Sequence, residues 1–244
     1  RNQIHDIERQ LKIVEKNRAT VREKRLDSSV FKIGLIGYTN AGKSTIMNAL
    51  TNKSQYEADE LFATLDATTK SINLTGRLNV TLTDTVGFIQ DLPTELVSSF
   101  KSTLEESKNV DLLVHVIDAS DPNHEEHEKT VLAIMKDLDM LDIPRLTLYN
   151  KADKVSDFTP TQTPYVLLSA KEENSRAILQ EALLNKMREL FVPFRIKVSP
   201  SKAYKLHELE SLSIIDKREY LEESETLSGY IAEKNKWRLE EFYD

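Results

Sequence analysis

The chain of 244 residues has no cysteine, only one tryptophan and no excess of basic residues. The absence of cysteine excludes disulfides and thiol chemistry, and it is compatible with a reducing cytoplasm, where we expect the protein to work. No uninterrupted apolar run approaches the roughly 18 residues that a membrane-spanning helix needs, so we expect no membrane span. The net charge of −7 argues against nonspecific nucleic-acid binding over most of the surface.

The composition is otherwise typical of a globular protein with a well-solvated surface, since 39% of residues are hydrophobic and 30% are charged. The length allows a core-bearing domain of ordinary size and a smaller module. We expect a helix at residues 1–27, a first domain at residues 28–192 and a small α+β domain at residues 193–244.

The most informative stretch is GYTNAGKS at residues 37–44, which follows an apolar run directly. It has the form G-x-x-x-x-G-K-[ST], which is typical of a phosphate-binding loop between a strand and a helix. Its glycines allow successive backbone N–H groups to point at a polyphosphate. We expect Lys43 to reach the β- and γ-phosphates and the Ser44 hydroxyl to bind Mg²⁺. The predicted contact residues are Gly37, Tyr38, Thr39, Asn40, Ala41, Gly42, Lys43, Ser44 and Thr45.

Apolar runs and helical segments alternate from about residue 31 onward, which predicts an α/β fold with a mostly parallel sheet flanked by helices. The strand candidates are residues 31–37, 78–83, 111–118, 145–149 and 165–168, with 71–74 as an edge strand. The helix candidates are residues 44–52, 95–106, 124–141 and 175–190.

Three polar signatures follow predicted strands, at the sheet edge where ligands bind in such folds. The first is D-x-x-G at residues 84–87, in which Asp84 can hold Mg²⁺ and the Gly87 N–H can meet the γ-phosphate. The second is N-K-x-D, formed by Asn150, Lys151 and Asp153, and the third is the run Ser169, Ala170 and Lys171.

The last two signatures indicate recognition of guanine. The Asp153 carboxylate can accept both N1–H and N2–H of guanine, whereas adenine offers neither donor and would leave the carboxylate unpaired. The backbone of residues 169–171 can approach guanine O6. All signatures together predict GTP and GDP as the bound nucleotides.

These elements resemble the translation-factor class of P-loop GTPases, and their details are similar to the HflX family in the Obg-HflX group. The resemblance rests on GYTNAGKST at residues 37–45, LFATLDATT at 61–69, DTVGFI through DLP at 84–93, and HVIDAS at 115–120. It covers roughly residues 28–192. Gln90 and Thr94 depart from the family pattern, which usually has arginine and often has histidine there, so partner contacts by these side chains are in doubt.

The resemblance implies that residues 62–69 form switch I, with Thr64 closing on Mg²⁺ and the γ-phosphate. From the sequence alone, Thr68 or Thr69 could serve instead. The expected catalytic set is Lys43, Thr64 and Gly87, and the expected Mg²⁺ ligands are Ser44, Thr64 and Asp84.

Phe88 stands where many GTPases have the glutamine that orients the attacking water. A phenyl ring cannot make that hydrogen bond, so unaided hydrolysis should be slow; Gln90 is a candidate substitute. The form G-x-x-N-x-G-K-S also resembles GTPases in which the asparagine coordinates K⁺, a role that would fall to Asn40. The alternative is that Asn40 only shapes the loop.

For an HflX-like protein the implied partner is the ribosome, chiefly its large subunit and rRNA, and the implied role is GTP-dependent splitting or rescue of stalled or idle ribosomes. We expect a monomer. Two alternatives stay open: an assembly or modification GTPase with a non-ribosomal partner, and a GTP-gated scaffold with negligible turnover, which Phe88 favours.

The segment before the first domain carries a heptad pattern through Ile4, Ile7, Leu11, Val14 and Val21. It predicts one helix of a coiled-coil hairpin from an N-terminal domain, or a helix lying on the GTPase domain. This segment is also basic, which is compatible with contact to phosphate backbones or with an ordinary solvated helix face.

Several polar or aromatic residues receive structural interpretations. The histidines at 124 and 127 are too close for H-E-x-x-H, and their acidic neighbours favour a helix start. His115 lies in an apolar run and is expected to be a satisfied core residue. A helix from Ser199 to about Leu212 is expected among three alternating runs of the C-terminal domain, and its aromatic residues are expected to lie mostly in the core.

Overall fold

The computed structural model describes residues 29–51, 68–84, 107–221 and 224–243. The predicted helices at residues 1–27 and 95–106 lie outside the described residues, as do Thr64, Gly87, Phe88 and Gln90. In the described part, no helix is both long and apolar enough to cross a membrane.

Six strands form the main sheet, in the order β2-β3-β1-β4-β5-β6. Their bounds are β1 Phe31–Ile36, β2 Thr68–Asn73, β3 Asn79–Asp84, β4 Leu112–Asp118, β5 Arg145–Asn150 and β6 Tyr165–Leu167. Strand β2 is antiparallel to β3, and the other neighbouring pairs are parallel. The predicted α/β class with a mostly parallel sheet is therefore confirmed.

Helices cover both faces of this sheet: α1 (Lys43–Thr51) and α3 (Ser175–Leu190) on one face, and α2 (His124–Asp137) on the other. The first face buries Ile46 and Met47 of α1 with Leu183 of α3. The second buries Val131 and Met135 of α2. Both sides of the central strands are thus covered, which explains why their sequences are apolar on consecutive positions.

The register brings the carboxyl ends of the parallel strands to one edge. Leu35 pairs with Asp84 across β1 and β3, while Asp118 pairs with Asn150 across β4 and β5. The segments that follow these strands therefore meet at the same edge, where open α/β sheets bind their ligands.

Helix α2 ends at Asp137, four residues before the predicted end at Leu141. The next residues form a Schellman-type cap, because Met140 N–H donates to the Met135 carbonyl at 2.8 Å and Asp139 N–H donates to the Lys136 carbonyl at 3.1 Å. Asp139 takes the left-handed conformation, with φ of 53°. Glycine is the usual residue at that position, and its absence concealed the helix end in the sequence.

A second sheet follows the first, with three antiparallel strands in the order β7-β9-β8. Its strands are β7 Val192–Val198, β8 Ser213–Leu221 and β9 Ser224–Ile231, and the connection from β7 to β8 contains a 3-10 helix, Pro200–Lys205, and α4, Leu206–Leu212. The strands agree with the alternating runs predicted at residues 194–198, 214–221 and 226–232, whereas the helix predicted from Ser199 to about Leu212 is divided into a 3-10 helix and a short α-helix. The last 3-10 helix, Glu233–Phe242, was not predicted. The domain boundary at residue 193 stays a prediction.

The two sheets are joined by a buried carboxylate. Glu210 of α4 is 2% exposed and forms ion pairs with Arg77, in the turn between β2 and β3, and with Arg218 of β8. Arg218 also pairs with Glu225 at 2.9 Å. Two arginines thus compensate this buried carboxylate, and removing both would leave a buried charge unpaired.

The expectation that C-terminal aromatic residues lie mostly in the core is wrong for four of them. Tyr204, Tyr220, Trp237 and Tyr243 have exposures of 77%, 72%, 54% and 56%. Phe242 is buried, as expected. For Trp237 the 3-10 helix Glu233–Phe242 gives the reason, because its three-residue period places residue 237 on a face other than that of Phe242. Tyr243 follows the helix in an extended conformation.

Candidate nucleotide-binding site

The loop between β1 and α1 requires glycine at two positions. Gly42 has a left-handed φ of 97°, and a Cβ there would lie 2.2 Å from Asn150 Nδ2. At Gly37 a Cβ would lie 2.2 Å from the carbonyl oxygen of Val116 in β4. Since real Cβ atoms do not approach so closely, both glycines allow the loop to pack tightly on the sheet edge.

The Lys43 ammonium is held inside this loop. Its Nζ donates to the Gly37 carbonyl at 3.2 Å and to the Tyr38 carbonyl at 3.1 Å. Burial lowers the pKa of Lys43 to about 8, and the negative charge of Asp84 opposes this shift. A phosphate beside the ammonium would add a second opposing charge and favour the protonated form. A bound anion would therefore stabilise the protonated form of Lys43.

Ser44 and Asp84 lie together, as a shared metal site requires. The Ser44 hydroxyl donates to Asp84 Oδ2 at 2.9 Å, and Asp84 is 3% exposed at the end of β3. A hydroxyl and a carboxylate are the hard oxygen donors that Mg²⁺ prefers, so these residues fit the predicted metal. A bound cation would also compensate the buried carboxylate.

Asn150 links the phosphate-binding loop to the third polar signature. Its Nδ2 donates to the Ala41 carbonyl at 3.0 Å, and its Oδ1 accepts from Ala170 N–H at 3.0 Å. The side chain is 3% exposed, so both bonds are shielded from water. One amide therefore holds together two segments that are more than a hundred residues apart.

Asp153 stands beside this junction, in the 3-10 helix Ala152–Lys154. A hydrogen bond from the Ser169 hydroxyl lowers the pKa of Asp153, which keeps its carboxylate ionised. Ser169 is buried, while Asp153 and Lys171 are exposed toward solvent. An ionised carboxylate with an open side is the acceptor that guanine N1–H and N2–H would need.

Comparison with known proteins agrees with this arrangement. A family model described as "50S ribosome-binding GTPase" matches residues 32–151. The GTPase HflX of Alkalihalophilus pseudofirmus is 42% identical over 235 residues, which is 96% of this chain and 55% of that protein. The GTPase HflX of Escherichia coli is 37% identical over 93% of this chain and 55% of that protein.

The chain belongs to the HflX family of GTPases. It spans about half the length of the curated HflX relatives that it matches. Among solved structures, a GTP-binding protein from Sulfolobus solfataricus in complex with GDP has a TM-score of 0.52 and 26% identity, covering 73% of this chain and 57% of that one.

In this HflX chain a further carboxylate supports the site, and the site predictions missed it. Asp118 Oδ2 accepts from Lys151 Nζ at 2.6 Å, and the same ammonium donates to the Asn40 carbonyl at 2.8 Å. Asp118 Oδ1 accepts from the backbone N–H and the hydroxyl of Ser120 at 3.0 and 2.6 Å. The HVIDAS run at the end of β4 was the available signal, because it ends a strand at the same edge as Asn150.

The other residues predicted to contact the nucleotide lie in the loop or in α1, or they fall outside the described residues. Tyr38 and Thr39 lie in the loop and Thr45 in α1. Thr64 and Gly87 lie outside the described residues, so their roles stay predictions. Of the alternatives to Thr64, Thr69 lies in β2, where its hydroxyl forms a hydrogen bond of 2.9 Å with Thr83 Oγ1.

The structure tests the predictions made for His124 and His115 of this HflX chain. Helix α2 begins at His124, as predicted from its acidic first turn. His115 is buried as expected, and its Nδ1 has no hydrogen-bond partner among the described residues. Burial, with the positive charges of Arg145 and Lys43, lowers the pKa of His115 to about 3, so the ring is neutral near pH 7.

Proposed function

We propose that this chain binds GTP and GDP and hydrolyses GTP to GDP and phosphate. The observation that carries the proposal is the Asn150 side chain, which joins the Ala41 carbonyl of the phosphate-binding loop to the Ala170 N–H. Because of these two hydrogen bonds, the segment proposed to bind phosphate lies next to the segment proposed to bind guanine, so that one nucleotide could contact both. The HflX relatives, each called a GTPase, support the same activity.

Six of the predicted site residues have individual roles in this proposal. Lys43 would hold the β- and γ-phosphates, the N-terminus of α1 would favour their negative charge, and Asp153 would select guanine. Ser44 and Asp84 would hold Mg²⁺, which supplies positive charge against the charge that develops on the phosphates. Thr64 and Gly87 keep their predicted roles in closing the site.

We further propose that the ribosome is the partner, chiefly the large subunit and its rRNA. The family model's description as a 50S ribosome-binding GTPase supports this choice. The proposed role is splitting or rescue of stalled or idle ribosomes, by a monomer in the cytoplasm. Because Phe88 cannot orient water, a partner that completes the site would have a large effect on turnover.

Turnover with purified large ribosomal subunits tests this proposal. We expect GTP hydrolysis at saturating nucleotide to rise by about 100-fold or more over the unaided rate, since a partner-supplied group can contribute about that much. Co-sedimentation with large subunits should require GTP rather than GDP.

Two other results would redirect the proposal. Normal GTP binding without stimulation by subunits, but with stimulation by another partner, would favour the non-ribosomal GTPase. GTP-dependent binding to subunits without turnover under any condition would favour the scaffold. This alternative is considered because the chain has Phe88 where many GTPases have the glutamine that orients water. Absence of GTP binding would overturn the nucleotide assignment itself.

Asn40 provides a test of K⁺ dependence. We expect KCl to raise turnover about tenfold over NaCl, because a cation beside the phosphates would neutralise charge in the transition state. The side chain of Asn40 is exposed at the loop, and its φ of 59° suits asparagine or glycine. Asn40→Gly therefore keeps the backbone conformation and removes only the amide.

The two interpretations of Asn40 predict different behaviour of this variant. If the amide coordinates K⁺, Asn40→Gly should lose the K⁺ response while it still binds GDP. If Asn40 only shapes the loop, Asn40→Gly should respond to K⁺ as the unmodified protein does. Rates would be measured at constant ionic strength in both salts, because screening alone changes binding of charged ligands.

A further inference from the structure

The ring of Tyr38 lies flat on an imidazole from helix α2. The ring centroids of Tyr38 and His127 are 3.8 Å apart, and the planes differ by 5°. Tyr38 belongs to the phosphate-binding loop, and its carbonyl is one of the two that accept from Lys43 Nζ. The stacked ring and the lysine-binding carbonyl are thus parts of the same residue.

His127 is itself fixed by the turn before α2. Its Nδ1 lies 3.2 Å from Asp121 Oδ2, and Asp121 Oδ1 accepts from the backbone N–H of Asn123 at 2.8 Å. The Asp121 carbonyl also accepts from His124 N–H at 3.1 Å. The carboxylate is therefore held by the backbone of the turn, and it fixes the plane of the His127 ring.

Tyr38 and His127 help to line a small cavity, together with His115, His124 and Asp121. Its volume of about 10 Å³ is room for about one water molecule. Removing the imidazole would enlarge this cavity and take away the group that stacks on the Tyr38 ring. The ring could then leave its present position at little cost, because its packing partner on that side would be gone.

We infer that His127 is a positioning residue for phosphate binding, which it supports through Tyr38 without touching the nucleotide. The imidazole, held in plane by Asp121, fixes the Tyr38 ring and with it the carbonyl that orients Lys43. This inference rests on the proposed GTP binding. It assigns to α2 a function in the site beyond covering one face of the sheet.

The test compares four variants of the whole chain by GDP affinity and by kcat and KM for GTP. His127→Ala removes the ring, His127→Phe keeps a flat ring, and His127→Gln keeps a polar group for Asp121. Lys129→Ala, an exposed position of the same helix, is the control. We expect His127→Ala to weaken GDP binding and raise KM about tenfold with kcat nearly unchanged, because the loss concerns binding. His127→Phe should recover most of both losses, because it keeps a stacking ring although it loses the Asp121 contact, whereas His127→Gln should recover little.

A double-mutant cycle distinguishes positioning from general destabilisation. If Tyr38 and His127 act through one stack, Tyr38→Leu combined with His127→Ala should bind GDP no worse than the weaker single variant. Additive losses would overturn the inference, as would unchanged GDP affinity in His127→Ala or rescue by glutamine instead of phenylalanine. If His127→Ala does not fold, the GDP affinities of Tyr38→Leu and His127→Phe test the inference instead. Tyr38→Leu should weaken GDP binding and His127→Phe should weaken it much less. Failure of the unmodified protein to bind GDP would instead count against the proposed function.

Discussion

Replacing Asp153 by asparagine is expected to weaken GTP binding by on the order of 10³-fold and to strengthen binding of xanthosine triphosphate. The carboxylate can accept from both N1–H and N2–H of guanine. An asparagine amide accepts one hydrogen bond and presents its own donor to the guanine amino group, so one bond is lost and two donors face each other. Xanthine has a carbonyl oxygen in place of that amino group, which the amide can donate to.

The measurement is competition of GTP, ATP and xanthosine triphosphate against a fluorescent GDP analogue. Asp157→Asn serves as the matched control, because it removes an exposed carboxylate from the same connection after β5. It should leave all affinities within about twofold. If Asp153→Asn weakened GTP and xanthosine triphosphate equally, Asp153 would support the fold of the site without reading the base.

Replacing Gly42 by alanine is expected to abolish nucleotide binding, with a loss of at least about 100-fold. The added Cβ would lie 2.2 Å from Asn150 Nδ2, and the φ of 97° is unfavourable for alanine. Either the loop or Asn150 must move. Because the Asn150 amide also binds Ala170, a shift of Asn150 would disturb the guanine-reading side of the site.

Two other glycines separate the causes of that loss. Gly76 has a φ of 66°, but nothing lies within 4 Å of a Cβ built there, so Gly76→Ala tests backbone strain alone. We expect it to lower the free energy of unfolding by about 1–2 kcal/mol and to leave GDP affinity unchanged. Gly37→Ala tests the effect of a steric clash alone, since its φ is not left-handed and its Cβ would meet the Val116 carbonyl. Thermal unfolding and GDP titration of all three variants would be compared, and normal binding by Gly42→Ala would contradict the close approach to Asn150.

The sequence predicted the parts of the site that depend on local order along the chain. Residues such as Lys43, Asp84 and Asn150 follow apolar runs, and a parallel sheet brings the ends of such runs to one edge whatever the details of packing. The loop, the D-x-x-G aspartate and the N-K-x-D residues of the described part accordingly lie together. Thr64 and Gly87 fall outside the described residues and stay predictions.

The contacts that depend on side chains from distant elements were not predictable in this way. The bond between Asp118 and Lys151, and the stack of Tyr38 on His127, require the exact placement of α2 and of two strand ends. The surroundings of His115 Nδ1, which has no hydrogen-bond partner in the described part of the chain, likewise depend on which groups pack around it after folding. A single sequence reports that such residues exist but not which neighbours they meet.

The ion pair between Arg77 and Glu210 has a mechanical consequence. Strand β3 runs from the turn that holds Arg77 to Asp84, a rod of six residues and about 20 Å. At one end of this strand lies Asp84 of the candidate metal site. At the other end, Arg77 forms an ion pair with Glu210 of α4, which lies beside the second sheet. Because a paired strand stretches little along its axis, a displacement of Asp84 and a displacement of Glu210 are not independent. The β2–β3 hairpin therefore connects the Asp84 end of the first sheet with α4 beside the second sheet.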